Sequence, residues 1–312
     1  MNTEKYNLQN LKTIIGNPTA LRGVVSHFGT SLNTAYYTLR GPSGTHVMEE
    51  DWDNLLILDG CRFDMFEEQW EGLGRLESRR SRASESWGFI KENFIDRELT
   101  DTIYITPNPH APKIPDGTFF LLYNALQDHW DEELETVRPE TLATELLRLH
   151  NKFPNKRLIG HFMQPHYPFI GDLGQEFDQV GISEARGDDS EDVHVWRKLQ
   201  YRLENISIQE AWDAYRENLN LVLEVVYDLL NSLSGRTVVT ADHGNLVGDR
   251  QRPVPVQGFG HPHRVYVPEL VTVPWQIIEG EIRREWVSEQ PIEQDTLNDN
   301  LVEDRLRALG YR

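Results

Sequence analysis

The run Asn54-Leu55-Leu56-Ile57-Leu58 ends abruptly in Asp59-Gly60. Four successive aliphatic side chains leave no polar face. A strand of this kind is buried on both sides and opens into a loop at its carboxyl end. Similar runs recur at 102–106, 157–162, 237–241 and 270–275, the last placed near a sheet edge by Pro274. Helical patterns fall between them. One is expected near 62–71, one begins at Pro139, and the longest spans 207–233 with Gly235 as its stop. Strands alternating with helices predict an α/β fold, a three-layer sandwich with a mostly parallel central sheet covered by helices on both faces. Residues 1–50 read as a helical lead-in packed on a main domain of 51–312, with apolar spacing at Leu8, Leu11, Ile14 and Ile15 and again over 20–38. The four-proline stretch 107–118 and the Gly/Asp-rich stretch 170–190 read as surface excursions, and 306–310 as a short closing helix.

Charge narrows the function. Asp plus Glu number 50 against 31 Lys plus Arg, a net of -19, and no basic stripe exists to hold nucleic acid. Only seven of the basic residues are lysines, and such an acidic, arginine-rich balance suggests a surface suited to concentrated salt. No apolar stretch approaches the length of a membrane span, and the polar start MNTEKYNLQNLKTIIG does not resemble a signal peptide. The expected compartment is the cytoplasm, with peripheral membrane contact through 20–38 left open. The single cysteine, Cys61, excludes an internal disulfide.

Chemistry gathers where the strands end. Ligands of open α/β sheets bind beyond the carboxyl ends of the strands, and there the sequence puts Asp59, His161 and the pair Asp242-His243. Any one of these could be a helix cap or a hydrogen-bonded neighbour. Several together suit a divalent cation. Mixed carboxylate and imidazole donors favour zinc or manganese, oxygen alone calcium or magnesium. Asp59, Asp242 and His243 are the expected ligands, with a hydroxyl from the segment SRASESWGFIKENF, Ser84 or Ser86, as the fourth. A serine touching a metal at a helix start would be both an anion-site residue and a nucleophile. Ser86 is preferred because a helix opening at Trp87 would make it the cap.

Five segments, in order, carry a family resemblance. LILDGCRFD resembles the first metal motif of the alkaline phosphatase superfamily in its sulfatase-like branch, and TADHGNLVGD resembles its Ser/Thr-x-Asp-His-Gly motif. HFMQPHYPF, GFGHPHRVYVPELVTVPW and LRALGYR are similar to later segments of that branch. The resemblance covers roughly residues 50 to 312. It implies an alkaline-phosphatase-like fold and a metal bound by Asp59, Asp242, His243, Ser86 and, for substrate or a second metal, His261. Ser86 answers the nucleophile of the phosphoethanolamine transferases, and Ser84 that of the lipoteichoic-acid synthases. His166, with His161 as the weaker match, would line the same pocket. The Cys-x-Pro/Ala-x-Arg motif of formylglycine sulfatases is missing from the sequence, as are the membrane helices of the lipid-linked transferases.

The expected activity is hydrolysis or transfer of a phosphate ester through a serine and a covalent phospho-enzyme. Serine-type hydrolysis of sulfate esters and non-catalytic binding of a sugar or envelope component are the alternatives. The substrate would be a small molecule or a glycan- or lipid-linked ester. His166 or His261 would protonate the leaving oxygen, and Arg62 or Arg264 would hold the nonbridging oxygens. Trp130 and Trp196, in the excursions, are candidates for stacking on a sugar or for ordinary packing.

Overall fold

The computed structural model describes residues 18–175, 195–202 and 206–292. Helix α1 (Pro18–Arg40) is followed by β1 (Asn54–Leu58), α2 (Phe63–Gln69), β2 (Arg75–Arg80), α3 (Ser86–Phe94), β3 (Leu99–Thr106) and β4 (Phe119–Asn124). Then come α4 (Ala125–Asp128), the short strands β5 (Trp130–Asp131) and β6 (Thr136–Val137), α5 (Pro139–Lys152) and β7 (Arg157–Phe162). The remainder holds α6 (Val195–Tyr201), α7 (Ile208–Leu230), β8 (Thr237–Thr240), β9 (Leu246–Arg250), β10 (Gln257–Gly260), α8 (Pro268–Val271) and β11 (Thr272–Ile278).

A seven-stranded sheet in the order β2-β11-β8-β1-β7-β3-β4 forms the centre. The neighbours from β8 to β4 run parallel, and β11 is antiparallel to both β8 and β2. The strand that set the expectation lies in the middle. Every residue of β1 is buried. Its alternation serves two cores: Leu56 and Leu58 face the layer containing α5 and α7, while Leu55 and Ile57 face Trp52, Phe89, Ile90 and Phe94. Burying an aliphatic side chain contributes about 1.5–3 kcal/mol, so a polar substitution here would act on both layers at once. The fold is the expected mostly parallel α/β sheet covered on both faces.

The differences have local causes. Strand β2, RLESRR, was not expected. It is a half-exposed edge strand whose composition reads as surface. It also moves the edge away from β11, so Pro274 sits one strand in, opposite Ser78. Strand β4 went unread because its apolar residues follow directly on the proline-rich loop. Gly235 does not stop the long helix: α7 ends at Leu230 with Asn231 as cap. Gly235 instead has φ +91 and packs where a Cβ would lie 2.6 Å from the Asp53 carboxylate. Helix α1 lies against the β9–β10 side of the molecule, with the Asn33 amide bonded to the Gln251 side chain and the Val254 carbonyl. The spacing at 8–15, the segment 306–310, LRALGYR and most of the 170–190 stretch fall outside the described residues.

Candidate metal centre

Four neighbouring parallel strands, β3, β7, β1 and β8, end on one side of the sheet. Adjacent strands lie about 4.8 Å apart, so side chains leaving their carboxyl ends converge without long loops. Asp59 follows β1, Asp242 and His243 follow β8, His161 is the penultimate residue of β7, and Asn108 lies two residues beyond β3. Asp59, Asp242 and His243 bring ligand atoms within 4.8 Å of one another, all buried.

The backbone explains the convergence. Gly60, at φ +67, turns the chain sharply after Asp59, a conformation that side-chain-bearing residues rarely adopt. Its N–H donates to Asp242 Oδ1 at 3.0 Å, and the His243 N–H donates to the same oxygen at 2.8 Å. Asp242 is therefore aimed by two backbone donors through Oδ1, and Oδ2 is left toward the cluster. Gly244 permits a close crossing, since a Cβ there would lie 2.2 Å from the Glu269 carbonyl.

Imidazole orientation follows from carbonyls, which only accept. His243 Nδ1 donates to the Gly244 carbonyl at 2.7 Å, so its Nε2 lone pair faces the cluster when the ring is neutral. That Nε2 lies 3.6 Å from Asp59 Oδ1 and 3.4 Å from Asp242 Oδ2. His161 Nε2 lies 3.6 Å from Asp59 Oδ2 and 3.7 Å from Asp242 Oδ2, and its Nδ1 is 2.8 Å from the buried Tyr104 hydroxyl. The four Nε2–carboxylate separations are too long for good hydrogen bonds. They match the edge of a tetrahedron about a cation with bonds of about 2.0–2.1 Å, which is about 3.3 Å. Among the described residues, His161 Nε2 and Asp242 Oδ2 have no hydrogen-bond partner, although both residues are fully buried. Two carboxylates buried side by side are costly without a compensating positive charge. The donor set fits a divalent cation.

Electrostatics agree in direction. Burial alone would raise the Asp242 pKa, but His243, His161 and the donors from Gly60 and Ser86 hold its carboxyl below the usual range. Burial drives the His161 pKa down to about 4, against the pull of Asp242, so the ring is neutral near pH 7 and able to act as a ligand.

Ser86 is the hydroxyl at the cluster. Its Oγ donates to Asp59 Oδ2 at 3.0 Å and lies 3.3 Å from His243 Nε2. It is not the helix cap, contrary to expectation. Glu85 caps α3 by accepting from the Gly88 N–H at 2.8 Å, and Ser86 is the first helical residue. Glu85 also meets His263 at 3.0 Å. Desolvation opposes its ionisation, yet this histidine, His243 and the Gly88 donor hold its carboxyl below the usual range. Ser84 is elsewhere: its Oγ donates to the Pro262 carbonyl at 2.9 Å and accepts from the Val265 N–H at 3.3 Å.

Two further histidines stand over the centre. His261 lies with its ring centroid 4.7 Å from that of His243, and its Nε2 is 2.9 Å from His166 Nε2. His166 Nδ1 donates to the Tyr167 carbonyl. In a neutral His166, Nε2 is then the acceptor and His261 Nε2 carries the shared proton. Asn218 of α7 holds this loop: its amide donates to the Pro165 and His166 carbonyls at 3.0 and 3.1 Å, and its oxygen accepts from the Ile170 N–H at 3.0 Å.

Arg62 corrects an expectation. Its guanidinium binds Asp64 and Asp249 at 2.6 and 2.8 Å and the Asn245 carbonyl at 3.2 Å, and lies over the Trp212 ring. Four of its five N–H donors are committed to the protein, which suits a brace for the loop after β8. Arg264 is exposed, at φ 54. Trp196 is buried against Phe169 and Tyr215, so it packs rather than stacks on ligand, whereas Trp130 is half-buried on β5. Sequence reading missed Asn108, whose amide donates to Asp59 Oδ2 at 3.2 Å. Its signal was faint: an Asn between two prolines just beyond an apolar strand. On the same loop, His110 lies near Trp87 with Lys113 at its Nδ1.

No family model matches the chain, and no curated protein matches it. Solved structures do. The zinc complex of the C-terminal periplasmic domain of EcEptC from Escherichia coli is similar at 14% identity, with 77% of this chain and 76% of that chain covered and a TM-score of 0.42. The soluble domain of lipooligosaccharide phosphoethanolamine transferase A from Neisseria meningitidis matches at 10% identity over 72% and 75%, TM-score 0.42. A putative sulfatase from Bacteroides thetaiotaomicron matches at 10% over 82% and 70%, TM-score 0.42, and an alkaline phosphatase superfamily protein from Vibrio parahaemolyticus at 12% over 84% and 67%, TM-score 0.40.

Proposed function

We propose that the chain is a metal-dependent enzyme of phosphate esters, a hydrolase or transferase in which Ser86 is the nucleophile. The observation that carries this reading is the Ser86 hydroxyl in contact with both Asp59 and His243, two members of the buried donor cluster. A serine that only capped a helix would have no reason to lie among these groups.

Asp59, Asp242 and His243 would hold the cation, with His161 Nε2 and Ser86 Oγ within reach; zinc or manganese suits the mixed nitrogen and oxygen donors. When bound, it would supply positive charge that favours the ionised serine and balances the phosphate oxygens. The protein's own groups do the rest. Asp59 Oδ2 accepts the hydrogen bond of the Ser86 hydroxyl and fixes the direction of Oγ; it takes the hydroxyl proton as Oγ attacks and returns it when the phosphoserine is cleaved. Attack by Oγ on phosphorus forms the serine–phosphate bond, and the bond to the leaving oxygen breaks. His261, whose Nε2 shares a proton with His166, gives a proton to that oxygen. Water or an acceptor hydroxyl then attacks the phosphoserine and returns the enzyme, losing its proton to the same histidine pair. The neutral Asn108 amide supports the Asp59 carboxylate throughout.

Turnover of phosphate monoesters, phosphate diesters and sulfate esters by the purified chain with added zinc or manganese tests this reading. Phosphate-ester turnover lost in Ser86→Ala with the fold intact is the expected result. Turnover of sulfate esters alone would transfer the same machinery to sulfur, and no turnover of any ester would leave a binding protein.

A further inference from the structure

Away from the metal centre, a groove of about 920 Å³ runs between α1, α6, the start of α7 and the β9–β10 pair. Its lining shares no residue with the cluster of Asp59, Asp242 and His243. Two features set it apart. Arg22, Arg202 and Arg250 all line it, and all are exposed. Between them, Val25, Ile208 and Phe259 give it an apolar surface.

Many arginines of this acidic chain are held by carboxylates, among them Arg62, Arg82, Arg138, Arg236 and Arg283. Among the described residues, none of the three guanidiniums in the groove has an ion pair or hydrogen bond. Three guanidiniums from separate elements face one space with their donors uncommitted. Planar guanidiniums match phosphate, phosphonate and carboxylate groups through paired N–H donors. The size is that of a small-molecule site.

The apolar part continues outward. Val25 belongs also to an exposed row on α1, with Phe28 and Leu32 on the same helix face at 64% and 45% exposure. The buried side of that helix is made of small and polar residues, including Gly23, Gly29 and Asn33. Helix α1 therefore turns its larger apolar side chains away from the protein, beside the groove.

We infer that this groove is a second ligand site, for an anionic amphiphile whose head group is held by Arg22, Arg202 and Arg250 and whose apolar chain lies over Val25 and Phe259 toward Phe28. The net charge of -19 repels anions at long range, so the head group is recognised by short-range arginine contacts and binding weakens as salt rises. This site is independent of the phosphate-ester reading. Its wall strand β10 leads directly into His261, which places the bound molecule one strand from the metal centre.

Calorimetric titration of the full chain with decylphosphonate, kept below its micelle concentration, tests the inference, because its carbon–phosphorus bond resists hydrolysis. One molecule should bind per chain, equally well in chelator-treated protein and in Asp242→Asn. Methylphosphonate, without a tail, and decyl maltoside, without a charge, should each bind at least about ten-fold more weakly. Arg22→Glu and Arg250→Glu should each weaken binding by about ten-fold or more while leaving the melting temperature unchanged, and Arg22→Gln should do the same in the event that the charge reversals fail to fold. Equal binding of the neutral detergent, loss of binding on chelation, or unchanged affinity in the arginine variants would overturn the inference. So would arginine-dependent capture of anionic vesicles or of polyglutamate with no binding of the monomeric phosphonate.

Discussion

Ser84 and Ser86 are two residues apart, both buried, and do different work. Replacing Ser84 by alanine removes two hydrogen bonds, to the Pro262 carbonyl and from the Val265 N–H. Each is worth about 0.5–1.5 kcal/mol, and leaving the buried partner unsatisfied raises the cost. The variant should lose about 2–3 kcal/mol of stability. Its turnover should fall only modestly, through looser placement of the 261–265 loop. Replacing Ser86 by alanine removes a hydroxyl that donates to Asp59 Oδ2 and lies beside His243, while Asp59 Oδ2 keeps the donor from Asn108. Its stability should change by less than about 1 kcal/mol, while turnover falls by about 10³-fold or more, as for loss of a nucleophile. Urea unfolding followed by circular dichroism and steady-state turnover on the same preparations measure both quantities. The opposite pattern, with Ser86→Ala active and Ser84→Ala folded but inert, would refute the reasoning.

Three other expectations follow from particular contacts. Asn218→Ala strips four hydrogen-bonding contacts from the 165–170 loop; it should lower kcat through misplaced His166 and cost about 2–3 kcal/mol in urea unfolding. Burial first, and Lys113 second, push the His110 pKa down to about 4. Between that value and the ordinary one of about 6.5 the unfolded chain binds the proton and the folded chain does not, so stability is full above pH 6.5 and falls toward pH 4, by up to about 3 kcal/mol. His110→Asn should flatten this part of the stability profile, and an unchanged slope would contradict the assignment. Arg62→Ala should lower the melting temperature with a loss of about 2 kcal/mol, whereas a KM increase at unchanged stability would restore it as a substrate-binding residue.

The sequence made the centre of the fold legible because buried parallel strands have few alternatives. Leu55 to Leu58 must be covered on both faces, and so the residues just past such strands, Asp59 and Asp242, lie on one side of the sheet. Periphery was harder to read. Strand β2 is stabilised by its partner β11 rather than by its own apolar pattern, and a polar edge has no signature distinct from a loop. The role of Asn108 depends on β3 lying next to β7, a pairing that no local pattern reveals. Arg62 was misread for a similar reason. Its partner Asp249 is 187 positions away, so the sequence alone could not decide between an ion pair and a substrate-binding cation.

The most direct test of the central claim is anomalous X-ray scattering from crystals of the full chain grown with zinc or manganese. A single strong peak bonded to Asp59, Asp242 and His243, with the Ser86 oxygen in its coordination sphere, is the predicted result, and Asp242→Asn should abolish it. A metal-loaded crystal with no peak between these residues, or with the metal bound only at the surface, would contradict the account.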